Sequence, residues 1–334
     1  MIYTHSLGFA ARYHADRLAI SGCPTRQTFR GLDKRVARVA AMLAREGFVS
    51  GDRLALLLPN GPEFLEFVFA CARLGVVAMP LDTQWSSAEI ARVLADAKPR
   101  GLIRHSSLAV PAIEIAWQRV LDKEPLQDTG VAAPPAINDP DAALALIYVT
   151  GSMVRPKGVL LTHGAAVANF QHANTWMRLS EHSVYLHAAP LFHIADFPFV
   201  FAATASGACQ LVTPRLSPSA FCQTVQRERV SHSVLLPTTT NLLAQLPELH
   251  RYDLSSVKQI GYSGSPITPE TIRQTKDVFR NLTALNVYGL SETGFLTTLL
   301  DDRHTPNKLP SHAGRAPARS WVSLDRSGAS PTAP

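Results

Sequence analysis

The chain has 334 residues, 46% of them hydrophobic and 17% charged, with a net charge of +6. It exceeds one ordinary domain and can bury a large core, which excludes a disordered chain. The modest positive balance suits a solvated basic surface or attraction of polyanions, and the lack of an arginine-rich run with interleaved aromatics argues against nucleic acid.

Four cysteines, Cys23, Cys71, Cys209 and Cys222, are widely spaced without C-x-x-C pairing. That fits a reducing compartment rather than a zinc site or a disulfide framework. Residues 1–10 lack a basic stretch followed by an apolar one, and no uncharged run approaches a membrane span. A cytoplasmic protein without a signal peptide or transmembrane segment is expected.

In chain order, the pattern predicts a helix over 28–46, a strand over 53–58, a helix over 62–74, a strand over 76–81, a helix over 88–97 and a strand over 101–104. Ser86-Ser87-Ala88-Glu89 resembles a capping box at the start of one of these helices. Residues 123–140, with Pro125, Pro134, Pro135 and Pro140, form a linker. Beyond it come strands over 144–149 and 159–161, a helix over 164–177, and strands over 184–188 and 208–212. Then follow a helix over 218–229, a strand over 232–236, a helix over 239–246, a strand over 259–262, a helix over 269–280 and a strand over 284–288. Ser217-Pro218 and Thr268-Pro269 place a cap residue before proline at the first helical position. Apolar strands alternating with amphipathic helices imply βαβ units and mostly parallel sheets. The expected division is a first α/β subdomain over 1–122, the linker over 123–140, a second α/β subdomain over 141–301, and a tail over 302–334 without a helical pattern.

Four segments could carry chemistry. Residues 148–163 read Y-V-T-G-S-M-V-R-P-K-G-V-L-L-T-H: a strand runs into small and hydroxyl residues, then Pro156-Lys157-Gly158, then a second strand. Thr150 and Ser152 supply hydroxyls, Lys157 a positive charge, and the turn's N–H groups a nest for phosphate. This is not a Walker A motif, since Pro156 precedes Lys157 and Gly158 follows it. Taken alone, it is better read as a generic strand–turn–strand connection. Residues 288–293, Y-G-L-S-E-T, deliver an aromatic, a glycine, a hydroxyl and a carboxylate to one strand end. Tyr288 could stack on a purine, Ser291 donate to a phosphate and Glu292 hold Mg²⁺. A core tyrosine followed by a helix-capping Ser–Glu is the plainer reading of that segment alone. Residues 262–266, Y-S-G-S-P, end a strand in small residues that a flat ring can approach. Residues 190–193, P-L-F-H, place His193 after an apolar run, followed by Asp196 and Phe197. A lone histidine in such a place is more often packed or exposed than functional.

Together, and in this order, these segments resemble the adenylate-forming (AMP-binding) superfamily, and within it the acyl-CoA synthetases. Residues 148–158 resemble its Y-T-S-G-T-T-G-x-P-K-G loop, with Met153 and Val154 where the family has Thr and Gly. Residues 288–292 resemble its Y-G-x-S/T-E signature, 263–266 its G-[GS]-[AS]-P turn, and 190–193 its P-x-F-H segment. Residues 51–60, 75–82 and 252–256 resemble further family stretches, in regions that do no chemistry. The resemblance implies two stacked, mostly parallel α/β subdomains in a layered sandwich. It also implies that a carboxylic acid, ATP and CoA are substrates and that Mg²⁺ accompanies the nucleotide. By resemblance Thr150, Gly151, Ser152, Lys157 and Ser291 bind phosphate, while Gly264, Ser265, Pro266, Tyr288 and Gly289 border adenine. His193 and Phe197 line the acyl pocket, Glu292 binds the metal, and Lys157, Glu292 and His193 form the catalytic set. The apolar residues Phe192, Ile194, Phe197, Phe199 and Phe201 suit a fatty or aryl acid, although such a stripe is equally ordinary core.

Two features of the resemblance point toward impairment. A β-branched residue at Val154 strains the loop if the position needs positive φ, and Met153 removes a hydroxyl. A full-length family member also continues past residues 314–317 into a β-barrel subdomain, a T-G-D segment whose aspartate holds the ribose, and a small domain with the adenylation lysine. None of these is found in the sequence. Losing two carboxylate–hydroxyl bonds costs on the order of 3–6 kcal/mol, at least about a hundredfold in nucleotide affinity. Two readings compete: a truncated acyl-CoA synthetase of weak or absent activity, or a non-catalytic nucleotide- or acyl-binding remnant or one chain of a split enzyme; a generic α/β nucleotide binder of another family is a distant third. Apolar surface exposed by loss of the barrel makes self-association an expectation.

Overall fold

The computed structural model describes residues 4–22, 25–111, 113–124, 132–149, 156–214, 216–263, 268–279, 282–293 and 298–301. The chain begins with α1 (Thr4–Tyr13), β1 (Leu18–Ser21), β2 (Arg26–Thr28), α2 (Phe29–Arg45), β3 (Arg53–Leu57), α3 (Pro62–Leu74), β4 (Val77–Pro80), α4 (Ser87–Ala97), β5 (Gly101–Arg104) and β6 (Trp117–Val120). It continues through β7 (Ala143–Val149), β8 (Lys157–Thr162), α5 (His163–Met177), β9 (Val184–Leu186), α6 (Phe197–Ala205), β10 (Cys209–Leu211), α7 (Pro218–Glu228) and β11 (His232–Leu235). The last elements are α8 (Pro237–Ala244), β12 (Gln259–Tyr262), α9 (Pro269–Val278), β13 (Thr283–Tyr288), a 3₁₀ turn (Ser291–Thr293) and β14 (Thr298–Asp301). All of the predicted strands and helices are present. Their start signals work as read: Ser86 and Glu89 form a reciprocal capping box on α4, and the side chains of Ser217 and Thr268 cap α7 and α9.

The strands build two sheets. One has eight strands in the order β14-β13-β12-β11-β9-β10-β1-β2, and the other has six in the order β6-β5-β3-β4-β7-β8. Pairing is parallel except in β1–β2, β7–β8 and β13–β14. The sheets do not follow the expected division of the chain. β7 and β8, from beyond the linker, extend the sheet begun by β3–β6, while the early β1 and β2 close the other. Each sheet is thus assembled from both sides of the linker.

Strand periodicity sorts the core into layers. Leu54 and Leu56 of β3 join a central apolar cluster with α2, α3, α5 and α6, whereas Ala55 and Leu57 face an outer cluster with α4. In the other sheet Val234 and Leu285 face the central cluster, and Leu235 and Ala284 face an outer one with α7 and α9. The central helix α6, F-P-F-V-F-A-A-T-A, is buried at eight of its nine positions. It has no polar face because it sits between two sheets. Among the described residues no helix is long and apolar enough to cross a membrane.

Two buried histidines give this core a pH dependence. Burial pushes the imidazoles of His163 and His232 down to about 4, with Lys258 adding to the effect at His232. The unfolded chain takes up these protons first, so stability is full above about pH 6.5 and is lost as pH falls toward 4. Urea unfolding at pH 7 and pH 5 is expected to show a loss on the order of 2 kcal/mol for each histidine. Unchanged stability across that interval would contradict the assignment.

Candidate active site

The antiparallel pair β7–β8 closes one edge of the six-stranded sheet, β7 ending at Val149 and β8 beginning at Lys157. Gly158 allows a close approach: a Cβ there would lie 2.9 Å from Leu146 Cδ1 and 3.1 Å from Tyr148 Cζ. Without that atom, β8 can lie over the Tyr148 ring and start at Lys157. Tyr148 itself is anchored by its hydroxyl, which donates to Asp96 Oδ2 at 2.5 Å. Burial and the Asp96 carboxylate push the phenol above its ordinary pKa.

Lys157 reaches across to the other sheet. Its Nζ donates to Glu292 Oε1 at 2.6 Å, and Glu292 sits in the 3₁₀ turn that follows β13. The ammonium, and then the residue's own backbone N–H, hold the Glu292 carboxyl below its usual pKa. The side chains are 65% and 39% exposed. An exposed pair of this kind contributes about 0–1 kcal/mol. A ligand can therefore separate the two charges at little cost.

Beside this pair is a cleft of about 70 Å³, bordered by Asp82, Trp85, Tyr148, Phe192, His193 and Ser291. Ser291 is buried, and the Trp85 indole N–H has no protein acceptor among the described residues. His193 opens to solvent at the mouth while protein packs around its base. That packing lowers its imidazole pKa, with Asp82 and Asp196 acting in the opposite sense. The Ala195 N–H donates to His193 Nδ1 at 3.0 Å. Nδ1 is thus the acceptor, and the neutral ring carries its proton on Nε2. Burial raises the Asp82 carboxyl, opposed by the Gln84 N–H and by His193.

The structure therefore brings Lys157, Glu292, His193 and Ser291 to one face, with Gly289 half-buried just before the turn. Thr150, Gly151, Ser152, Met153 and Val154, together with Gly264, Ser265 and Pro266, lie outside the described residues, as does the side chain of Tyr288. Phe197 is placed differently from the expectation. It is 2% exposed, packs edge-on against Phe201 and does not border the cleft at His193. Of the apolar stripe, Phe192 and Ile194 line the cleft, while Phe199 and Phe201 belong to the core. Two residues in segments read as free of chemistry belong here after all. Asp82 ends the β4 segment at the cleft, and Asn60, just after β3, bonds the backbone on either side of Pro190. Their signal was a polar residue at the carboxyl end of a parallel strand, where α/β proteins gather ligand groups.

Two α/β sheets thus bring a lysine, a carboxylate and a histidine together at their facing ends. The model of the AMP-binding enzyme family matches residues 8–330, and the chain belongs to that family. Feruloyl-CoA synthases of an Amycolatopsis and a Streptomyces species are each 31% identical over 307 residues, covering 90% of this chain and 62% of theirs. An indoleacetate–CoA ligase of Aromatoleum aromaticum is 29% identical over 84% of this chain and 58% of its own. The chain thus spans about three fifths of the length of these relatives. The inhibitor-bound N-terminal domain of FACL13 from Mycobacterium tuberculosis superposes with a TM-score of 0.86 at 24% identity, covering 94% of this chain and 82% of that one. The O-succinylbenzoate coenzyme A synthetase of Bacillus subtilis, in complex with AMP, gives 0.82 at 25% identity over 97% and 83%.

Proposed function

We propose that the protein activates a carboxylic acid with ATP and passes the acyl group to the thiol of CoA. A carboxylate oxygen attacks the α-phosphorus, the bond to the bridging oxygen breaks, and pyrophosphate leaves. The thiol sulfur then attacks the acyl carbon of the adenylate and AMP leaves. Attacker and triphosphate are both anionic, so the site must neutralise charge and align the groups.

The observation that carries this reading is the Lys157–Glu292 pair at 2.6 Å, bridging two sheets beside a cleft that holds His193 and Ser291. With Mg·ATP bound, Glu292 would hold the cation and Lys157 would pair with phosphate, each supplying charge opposite to that of its new partner. A single carboxylate suits Mg²⁺, which takes its remaining ligands from phosphate oxygens and water. No group of three or more metal-ligating side chains occurs among the described residues, so the cation would arrive with the nucleotide. His193 presents Nε2–H to an oxygen of the acid or the adenylate. Phe192, Ile194 and Ile147 at the cleft, together with the feruloyl and indoleacetate enzymes among the relatives, favour an aryl or fatty acid. The test is exchange of labelled pyrophosphate into ATP with a panel of aryl, fatty and amino acids. Exchange that depends on an aryl or fatty acid is expected, and exchange only with amino acids would overturn the substrate class.

A further inference from the structure

Two sheets converge on the turn that carries His193. From the six-stranded side, Asn60 spans the turn's backbone: its Nδ2 donates to the Ala189 carbonyl at 3.0 Å and its Oδ1 accepts from the Leu191 N–H at 2.9 Å. From the eight-stranded side, Asp196 holds the other end, its N–H donating to the His193 carbonyl at 3.1 Å. Asp196 precedes α6, yet its side chain makes no cap bond there. It is wholly buried and turns to β9 instead. The Tyr185 hydroxyl donates to its Oδ1 at 2.8 Å, and His187 Nδ1 lies 3.2 Å from the same oxygen. His187 Nε2 meets Gln210 Oε1 at 3.0 Å, extending the cluster into β10.

A carboxylate withdrawn from solvent is expensive unless donors meet it, and an apolar core of the same volume is commonly as stable or more so. The geometry gives this cluster a second consequence: it fixes Asp196, whose N–H holds one end of the His193 turn, while Asn60 holds the other. We infer that Asp196 and Asn60 are positioning residues that hold His193 with Nδ1 on the Ala195 N–H and Nε2 as the donor into the cleft. Asp196 acts through Tyr185 and the His193 carbonyl, and Asn60 through Ala189 and Leu191.

The kinetic consequence rests on the proposed acid activation, but the structural one does not, and the test has an arm for each. In the full protein with ¹⁵N-labelled histidine, His193 is assigned by comparison with His193→Gln and read for its tautomer. The wild type is expected to show a single neutral Nε2–H form. Asn60→Ala and Asp196→Ala lose that single form, and Asp196→Asn, which keeps an oxygen for Tyr185, restores it. In the exchange assay Asn60→Ala lowers the rate at saturating substrate by about tenfold or more while the KM for ATP moves by less than about threefold. A wild type without any exchange defeats the proposed reaction, and the tautomer arm then decides this inference alone. Should Asp196→Ala not fold, Asn60→Ala and Asp196→Asn decide it. A folded Asn60→Ala protein that keeps the single Nε2–H form and unchanged turnover, with only its unfolding midpoint lowered, overturns the inference.

Discussion

Glu292→Ala is expected to lower acid-dependent ATP–pyrophosphate exchange by about a hundredfold to a thousandfold, the range seen when one preorganised electrostatic group is removed. The carboxylate is ionised and held by Lys157 at 2.6 Å, on the side of the cleft where Ser291 is buried. On the proposed reaction, its loss would take from the cation accompanying the triphosphate its ligand from the protein, and charge developing on the leaving pyrophosphate would be less well matched. Stability should hardly change, because the pair is exposed and worth about 0–1 kcal/mol. Lys157→Ala should show the same loss of exchange with the same preserved fold. Exchange within about threefold of the wild type in Glu292→Ala would mean that the pair is a surface contact and not catalytic machinery.

Phe197→Ala is expected to destabilise the protein by about 3–5 kcal/mol, the usual cost of deleting a buried aromatic ring. Phe197 is 2% exposed in the central layer, edge-on to Phe201 at 5.6 Å, and Phe201 in turn packs edge-on to Phe69 of α3 at 5.0 Å. The ring thus supports Phe201, which links α6 to α3, and a void there has little chance to collapse between two sheets. Urea unfolding measures the loss, while the ranking of acids in the exchange assay should stay the same. A fully stable variant with a changed acid preference would return Phe197 to the acyl pocket.

Much of the fold could be read from the chain because local signals and periodicity agree. Caps such as Ser86, Ser217 and Thr268 start helices where the apolar pattern begins. The elements not foreseen lack that agreement. α6 is apolar on every face and shows no helical stripe, β1, β2, β6 and β14 have four residues or fewer, and α1 resembles an ordinary chain start. Strand order is harder still. The partners of β7 and of β1 are set by long-range packing through the central helices, which no local pattern encodes. Chemistry and motif singled out Lys157, His193, Ser291 and Glu292, and the structure pairs Lys157 with Glu292 and sets His193 and Ser291 on one cleft. Asn60 and Asp82 went unread because a polar residue ending a buried strand looks the same whether it caps, turns or binds. Phe197 lies in the central cluster, and an apolar stripe beside a candidate histidine does not distinguish a pocket wall from a core.

The central claim is that the face uniting Lys157, Glu292 and His193 is built for an acyl-adenylate. Binding of a non-hydrolysable acyl-sulfamoyl adenosine, titrated against Trp85 fluorescence at the cleft, tests it most directly. An analogue uniting both halves should bind at least about a hundredfold tighter than AMP or the free acid, as expected for a site complementary to the intermediate. Binding no tighter than that of AMP alone, or unaffected by Glu292→Ala and His193→Ala together, would contradict the account.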